Sequence, residues 1–537
     1  MAPASIMTVR LVSPRDKPTL SEAGEGWVAI GGDEVDLDPS RRIETATALE
    51  AAFAAVIPDF LALCRNLGAD PSAVLAHTPS AAANVSDLGL MMAWSRLVET
   101  WAGEGRKTVL VCADPWLYRH LAGLPGVNAA PPPSLPGPLP RLRGFAARLR
   151  YGLRAALGVR AKPTTPQGRS WLLSYANPQS GPDGTDAYFG PLMRERADLC
   201  RMLHVDCPPE EARRLNGGGR SFSLHHWGSA LFALTGLPFA RWIPRKEMLD
   251  GPWGWLVRRA ATGEAATAQG AAIAWQIHCQ RRWLADAHPL AVAWPWENHG
   301  WERDFCRAAR GLGVASAGYQ HSSVGRFELN HHVDANPDGL ASLPDRVLCT
   351  GAVTRDALTR WGLPESRSRV AGALRYGFAR GPRWDRDAPL FVALPGDMAL
   401  AAQMVGAVSR VAPGLGRKIL IRPHPVYDVA VPETHLVTRA ATGLGGQAAV
   451  SAVIYAATTV GLEAVLFGLP TIRFIAAGCI AHDILPNTVN VPAADEAGLA
   501  AAIERAEPPP TVARDDVFAP VDHDVWRQAL PLPKAAS

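Results

Sequence analysis

Four short stretches of the chain gather residue types that can hold an anion or move a proton. In "KILIRPHPVYD", residues 418–428, an apolar run ends not in Gly, Asn or Asp but in Arg422, Pro423, His424 and Pro425. Prolines on both sides restrict the backbone of His424 and keep a helix from restarting early, so the imidazole is held at low entropic cost. Arg422 and His424 stand two residues apart, which on an extended chain puts them on one face. Two donors on one face suit a phosphate, although a histidine that simply closes a turn explains the same residues. In "YAATTVGLEAVLFGLPTIRF" a β-type run breaks at Thr458 and Thr459 and becomes a helix. Hydroxyls and free backbone N–H groups at a helix start make an anion site. An ordinary capped helix would account for the threonines, but not for their pairing with a strand-end Arg and His in the neighbouring unit.

Glu463 lies four residues past Thr459, one too far for a capping box, which leaves its carboxylate free to accept from ribose hydroxyls. In "WPWENHGWER", Glu297, Asn298, His299 and Glu302 crowd into six residues. Glu297 and Glu302 are candidates for a base or for ligands of an acceptor hydroxyl; a carboxylate that only balances a helix macrodipole is the plainer reading of Glu297. The next β-type run ends in "GYQHSSV", placing Gln320, His321 and Ser322 at the same kind of position. The loop "SYANPQSGPDGTDAYFGPLM" offers Asp183 or Asp186 as base or nucleophile, while Asp beside Gly is more commonly a turn former. His225 with His226 and His331 with His332 have no carboxylate or cysteine at metal-ligand spacing, so no metal site is expected.

Each of these groups follows a β-type run, and the runs set the architecture. "APPPSLPGPLP", residues 130–140, is a stiff linker after a first α/β domain (1–129) with strands in "MTVRLVS" and "KTVLVCADP". A linker and basic helix (130–168) lead to short β-type runs alternating with helical patterns, the signature of parallel strands with helical crossovers. The runs are "SWLLSYA", "PLAVAWPWE", "VASAGYQH", "RVLCTG" and "SRVAGAL", then "PLFVALP", "KILIRPH", "AVIYA" and "PTIRFIA". They divide at the polar, turn-rich "RYGFARGPRWDRDAP", which predicts a hinge near Arg380 and closure over a ligand. The expected fold class is therefore α/β: two Rossmann-like domains (169–380 and 381–510) facing a cleft, a small domain before them and a C-terminal tail (511–537). In open parallel sheets ligands bind beyond the carboxyl ends of the strands, where the candidate residues fall.

"IRPHP" followed by "TTVGLEAVLFGLPTI" resembles the carboxyl half of bacterial surface-polysaccharide glycosyltransferases of the GT-B type, especially those using CMP-activated Kdo and sialic acids. "WPWENHGWER", "GYQHSSV" and "CTGAVTRDALTRWGLPESRSRVAGALRYG" resemble a family of surface-carbohydrate biosynthesis proteins. Together the similarities cover most of residues 170–490. They imply that His424 with Pro425, and Thr458 with Thr459 in place of the usual Ser-Ser, hold the donor's nucleotide phosphate, that Glu463 lies near the ribose, and that Arg375 and Gln320 belong to the donor site. They imply a metal-independent transfer of a sugar from a nucleotide donor, CMP-linked by this resemblance, to a surface glycan or its lipid-linked precursor. Glu297 is then the first candidate for base or nucleophile, with His321 and Asp183 beside it. A UDP-sugar or CDP-glycerol transferase, an epimerase on the same fold, and a non-catalytic glycan-binding subunit are the alternatives.

Composition agrees with a soluble or peripheral protein. The 537 residues are 48% hydrophobic and 19% charged, and the eight cysteines have no CxxC pair, which suits a reducing cytoplasm. No secretory signal and no run of eighteen apolar residues is expected. The net charge of +4 hides an asymmetry: between Asp114 and Asp183 there are nine Lys or Arg and no acid, so the remainder is net acidic. In that zone Leu142, Phe145, Leu149, Leu153 and Leu157 form one apolar helix stripe flanked by arginines. Such a helix, within residues 141–162, either lies on an anionic inner membrane or packs on its own protein with a solvated basic face. Nucleic acid is not expected as a partner, because aromatics are not interleaved with the basic residues.

Overall fold

The computed structural model describes residues 9–16, 18–20, 24–31, 35–82, 85–375, 381–424, 427–480 and 483–533; Pro425 and the hinge expected at Arg380 lie outside the described residues. The first domain is a four-stranded parallel sheet of β1 (Val9–Val12), β2 (Gly26–Ile30), β3 (Thr108–Cys112) and β4 (Val127–Ala129), in the order β2-β3-β1-β4. β5 (Ser170–Ser174), β6 (Cys200–Leu203), β7 (Ser221–Ser223), β8 (Ala291–Pro295), β9 (Ala315–Gln320), β10 (Arg346–Cys349) and β11 (Ser368–Val370) make a seven-stranded parallel sheet ordered β11-β10-β9-β8-β5-β6-β7. After a short pair, β12 (Arg383–Trp384) with β16 (Ala449–Val450), the third sheet is also parallel. It contains β13 (Leu390–Ala393), β14 (Ile419–Arg422), β15 (Val437–Arg439), β17 (Val453–Tyr455), β18 (Thr471–Phe474) and β19 (Ala493–Ala494), in the order β15-β14-β13-β17-β18-β19. Two Rossmann-type sheets flanking a cleft are thus the core of the chain. Every residue of β5, β8 and β13 is buried, as expected of parallel strands covered on both faces.

The domains are tied by specific contacts. Glu50, on helix Ala46–Gly68 of the first domain, pairs with Arg473 of β18 (Nη1–Oε1 3.0 Å) and with Arg326 of the middle domain. Asp483 lies 3.6 Å from Arg473 and 3.8 Å from Arg326. Two acids and two bases from three domains therefore neutralise one another where Arg473 is almost fully buried. The segment read as a tail returns to the middle domain: the Ala519 N–H donates to Thr350 O (2.8 Å), and the buried Trp526 packs edge-on to Tyr319 and Phe189.

Two helices, Ala46–Gly68 and Met398–Leu415, are apolar and long enough to cross a membrane by length and composition, although each is interrupted by charged residues such as Glu50 and Asp59 in the first and Arg410 in the second. Each places its apolar face in its own domain, through Phe53 and Phe60 in the first and Met404 and Val408 in the last. Helix Leu139–Gly158 forms where the periodicity predicts it. Its buried positions, however, are Gly144, Arg148, Gly152 and Ala155 rather than the leucine stripe.

Candidate active site

Sheet register brings the middle-domain candidates together. β8 pairs Pro295 with Tyr319 of β9, so Glu297 and His321, each two residues further on, come level at the carboxyl edge. On the other side β5 pairs Ser174 with Leu203 of β6, so Tyr175 comes level with His204, and the two rings stack at 4.2 Å.

The turn after β8 passes through Asn298 at φ 57, a left-handed conformation that Asn tolerates better than most residues. Glu302 fastens it. Its fully buried carboxylate accepts from the N–H groups of Glu297 (3.0 Å) and Asn298 (2.9 Å) and from Trp294 Nε1 (3.0 Å). Burial pushes that carboxyl up to about 7. Of the two glutamates read as possible bases, Glu302 is therefore engaged with the backbone beneath the site. Glu297 keeps 41% of its side chain open and accepts from His299 Nε2 at 2.9 Å. Burial raises its pKa, but the hydrogen bond and charge of His299, with His321 and His331, outweigh burial and hold it down to about 2. His299 is raised for the reciprocal reason, burial opposing it and the two glutamates prevailing. Each partner thus favours the charged form of the other.

His321 is the opposite case. Burial first, and the charge of Arg375 second, lower it to about 4, so its ring is neutral at neutral pH, packed edge-on to Tyr188 at 5.2 Å. Its Nδ1 is buried with no hydrogen-bond partner among the described residues. Arg375 is exposed and lies over the Tyr188 ring at 5.3 Å. The same guanidinium acts on Glu463 of the facing domain, whose carboxyl burial raises and Arg375 lowers. Arg375 is thus the charge that both sides of the cleft feel.

Other expected residues are placed differently. Gln320 is turned inward, 3% exposed, with Nε2 at 3.2 Å from His331 Nε2. Asp183 is an exposed turn residue bonded to Thr185 N (3.1 Å) and Thr185 Oγ1 (2.9 Å), and shares none of the contacts that join Glu297, His299 and His321. Asp186 is buried against Arg201 at 3.3 Å and accepts from the N–H of Tyr188 at 2.9 Å, which fixes the loop that carries Tyr188. On the facing sheet Arg422 donates from Nη1 to Ala440 O and Ala441 O, both at 3.2 Å, while His424 stacks on Tyr427 at 5.4 Å. The two residues expected to share one face make separate contacts, because His424 lies beyond the last paired residue of β14 and strand alternation no longer governs it. Thr458 and Thr459 follow Ala457 at φ 48, a conformation costing about 1–3 kcal/mol for a non-glycine residue. Thr459 at the start of helix Val460–Leu466 makes no side-chain cap bond.

Sequence reasoning missed His77, Tyr175, Tyr188 and His204. His77 belongs to the first domain. Its ring meets His299 edge-on at 5.0 Å, and its Nε2 accepts from Gln269 Nε2 at 2.9 Å. Burial and the charge of His299 lower His77 to about 4. Tyr175 and His204 each follow a strand by one residue, a signal available once β6 is recognised; His77 has no comparable signal. Among the described residues no group of three or more His, Cys, Asp or Glu side chains could hold a metal ion. The arrangement offers fixed negative charge, a neutral proton acceptor, an exposed guanidinium and an aromatic floor.

No family model matches the chain, and no curated protein matches it. Solved structures similar to it include the glycotransferase of kitacinnamycin, at 12% identity over 63% of this chain and 90% of that one, TM-score 0.37. The UDP-GlcNAc 2-epimerase of Methanocaldococcus jannaschii has 11% identity over 62% and 91%, TM-score 0.36. The UDP-N-acetylglucosamine 2-epimerase of Rickettsia bellii has 10% over 67% and 90%, TM-score 0.37. These likenesses are too slight to carry any statement about activity; the chain's own strands and register give it the GT-B-like arrangement of two Rossmann-type domains about a cleft.

Proposed function

We propose that the chain is a metal-independent nucleotide-sugar enzyme, with glycosyl transfer as its reaction. The observation that supports this reading is Arg375, an exposed cation lying over the Tyr188 ring that packs edge-on to His321, with its charge also lowering Glu463 of the facing domain. Breaking a sugar–phosphate bond develops negative charge on the leaving phosphate and positive charge at the anomeric carbon, and fixed groups of opposite sign stabilise the transition state more than the ground state. Arg375, with His424, Thr458 and Thr459 across the cleft, would take the phosphate. Glu297, held ionised by His299, would face the sugar carbon, and neutral His321 would accept the proton of the attacking hydroxyl. A phosphate bound at Arg375 offsets the charge that depresses His321, so donor binding itself strengthens the base.

With Arg422 held by the Ala440 and Ala441 carbonyls, the phosphate contacts on this side fall to His424, Thr458 and Thr459, and these would serve a UDP-linked donor as well as the CMP-linked one of the motif resemblance. Titration of the full chain with UDP, CMP and CDP, read as a rise in Tm, tests the reading: one nucleotide should stabilise the protein, and stabilisation by none of them rejects it. Incubation with the matching sugar nucleotide then separates transfer, which releases nucleotide only with an acceptor, from epimerisation, which leaves the nucleotide–sugar bond intact.

A further inference from the structure

Helix Leu139–Gly158 is held to the body of the protein by its small-residue face. Gly144 lies against the Ala265 carbonyl and Gly152 against that of Ala233, where an added Cβ would overlap backbone. Arg148 reaches beneath the helix, donating from Nε to Pro238 O (3.1 Å) and from Nη1 to Ala265 O (2.8 Å) and Thr267 O (3.1 Å). This packing turns the leucine stripe outward: Leu142 is 63% exposed and Leu157 78%. The apolar surface continues onto the next segment through Leu231 and Phe239, 73% and 69% exposed, and the rings of Phe145 and Phe239 touch at 5.7 Å. Soluble monomers rarely leave so much contiguous apolar surface without a use for it.

The charge around the patch selects what covers it. At about 100° per residue, Arg143, Arg150 and Arg154 project beside the stripe, away from the packed glycines, and all three are exposed. The absence of any acid between Asp114 and Asp183 leaves this region basic on a chain otherwise net acidic. We infer that this face docks on an anionic lipid bilayer, its leucines and phenylalanines entering the headgroup–acyl boundary and its arginines pairing with lipid phosphates. A second copy of the chain covers the patch less well, since a twofold contact would set two arginine-rich faces against each other. The grip of Arg148 on Ala265 and Thr267 also fixes the docked face close to the site, because two residues later Gln269 holds His77 against His299.

Flotation of the full chain with vesicles of phosphatidylcholine, with and without phosphatidylglycerol, tests this. The protein should float only with the phosphatidylglycerol vesicles and be released by salt. Replacing Leu142 and Leu153 together by Glu, at positions already in solvent, should abolish flotation without lowering Tm. Arg143→Glu with Arg150→Glu should weaken it by about tenfold or more, and Leu532→Glu, also exposed but outside the patch, should leave it unchanged. Failure of the unaltered protein to float, retention of flotation by the Leu142/Leu153 variant, or a dimer that this variant dissociates in the absence of lipid binding would each overturn the inference.

Discussion

At the carboxyl edge of the seven-stranded sheet, Glu297 and His299 favour each other's charged form, burial and Arg375 keep His321 neutral, and a buried Glu302 fastens the turn beneath them. At the edge of the six-stranded sheet, Arg422 is bonded to backbone carbonyls, His424 rests on Tyr427, and Thr459 leaves its hydroxyl out of the helix cap. The first edge is organised before any ligand arrives, and its cost is a carboxyl buried beneath it. The second holds polar groups whose geometry is set by their own chain. Under the proposed function, chemistry would fall on the organised edge and binding on the other.

The sharpest way to break this comparison is Glu297→Gln. Removing the fixed charge should lower kcat for the stabilising sugar nucleotide on the order of a hundred- to a thousandfold, with the nucleotide's Kd changed little. Thr459→Ala should do the reverse, raising KM several-fold with kcat nearly intact; equal effects on both constants from either change would erase the distinction. The next largest effect concerns what holds the two edges in register. Glu50→Ala leaves Arg473 buried with only Asp483 at 3.6 Å to balance it, which should cost about 3 kcal/mol in urea unfolding. A loss of a few tenths would mean the four-charge junction does not bear on stability.

The same contrast governs what could be read from the chain. β5, β8, β9, β13 and β14 are legible as apolar runs because buried parallel strands need apolar residues on both faces. β6 and β7 are not, since Arg201 sits wholly buried in one, neutralised by Asp186, and two of the three residues of the other are serines. The strand-end rule located Glu297 and His321, but spacing could not tell which of Glu297 and Glu302 is open, because that depends on which one the backbone of the turn captures. His77 reaches the site from another domain, and no local pattern announces such a contact. Helix Leu139–Gly158 is legible as a helix, yet its packing face is set by where Gly144 and Gly152 allow backbones to approach.

Arg375→Gln sharpens the comparison from the point where the two edges meet. Loss of one charge-assisted contact to the donor phosphate should raise KM about tenfold, roughly 1.4 kcal/mol. It should also raise the pKa of His321, because the guanidinium is the second cause of that group's depression after burial. A KM effect with no movement of His321 in a proton NMR titration would separate Arg375 from the base it is argued to tune.

The smallest effect at neutral pH is the most specific. His321 is lowered from 6.5 to about 4, so between those values the folded protein holds fewer protons there than the unfolded chain. Stability from this group is therefore complete above pH 6.5 and falls as pH drops toward 4. The same shift sets the activity profile: a base must be unprotonated, so kcat/KM should stay level from neutral pH down past 6 and bend only toward 4. In Arg375→Gln the bend should move to higher pH. In His321→Gln the profile should lose it altogether, leaving a lower, flatter rate. A limb that stays near 4 in His321→Gln would belong to another group, with His77, lowered to about 4 beside His299, the first to examine. The proton acceptor of the site would then come from the first domain.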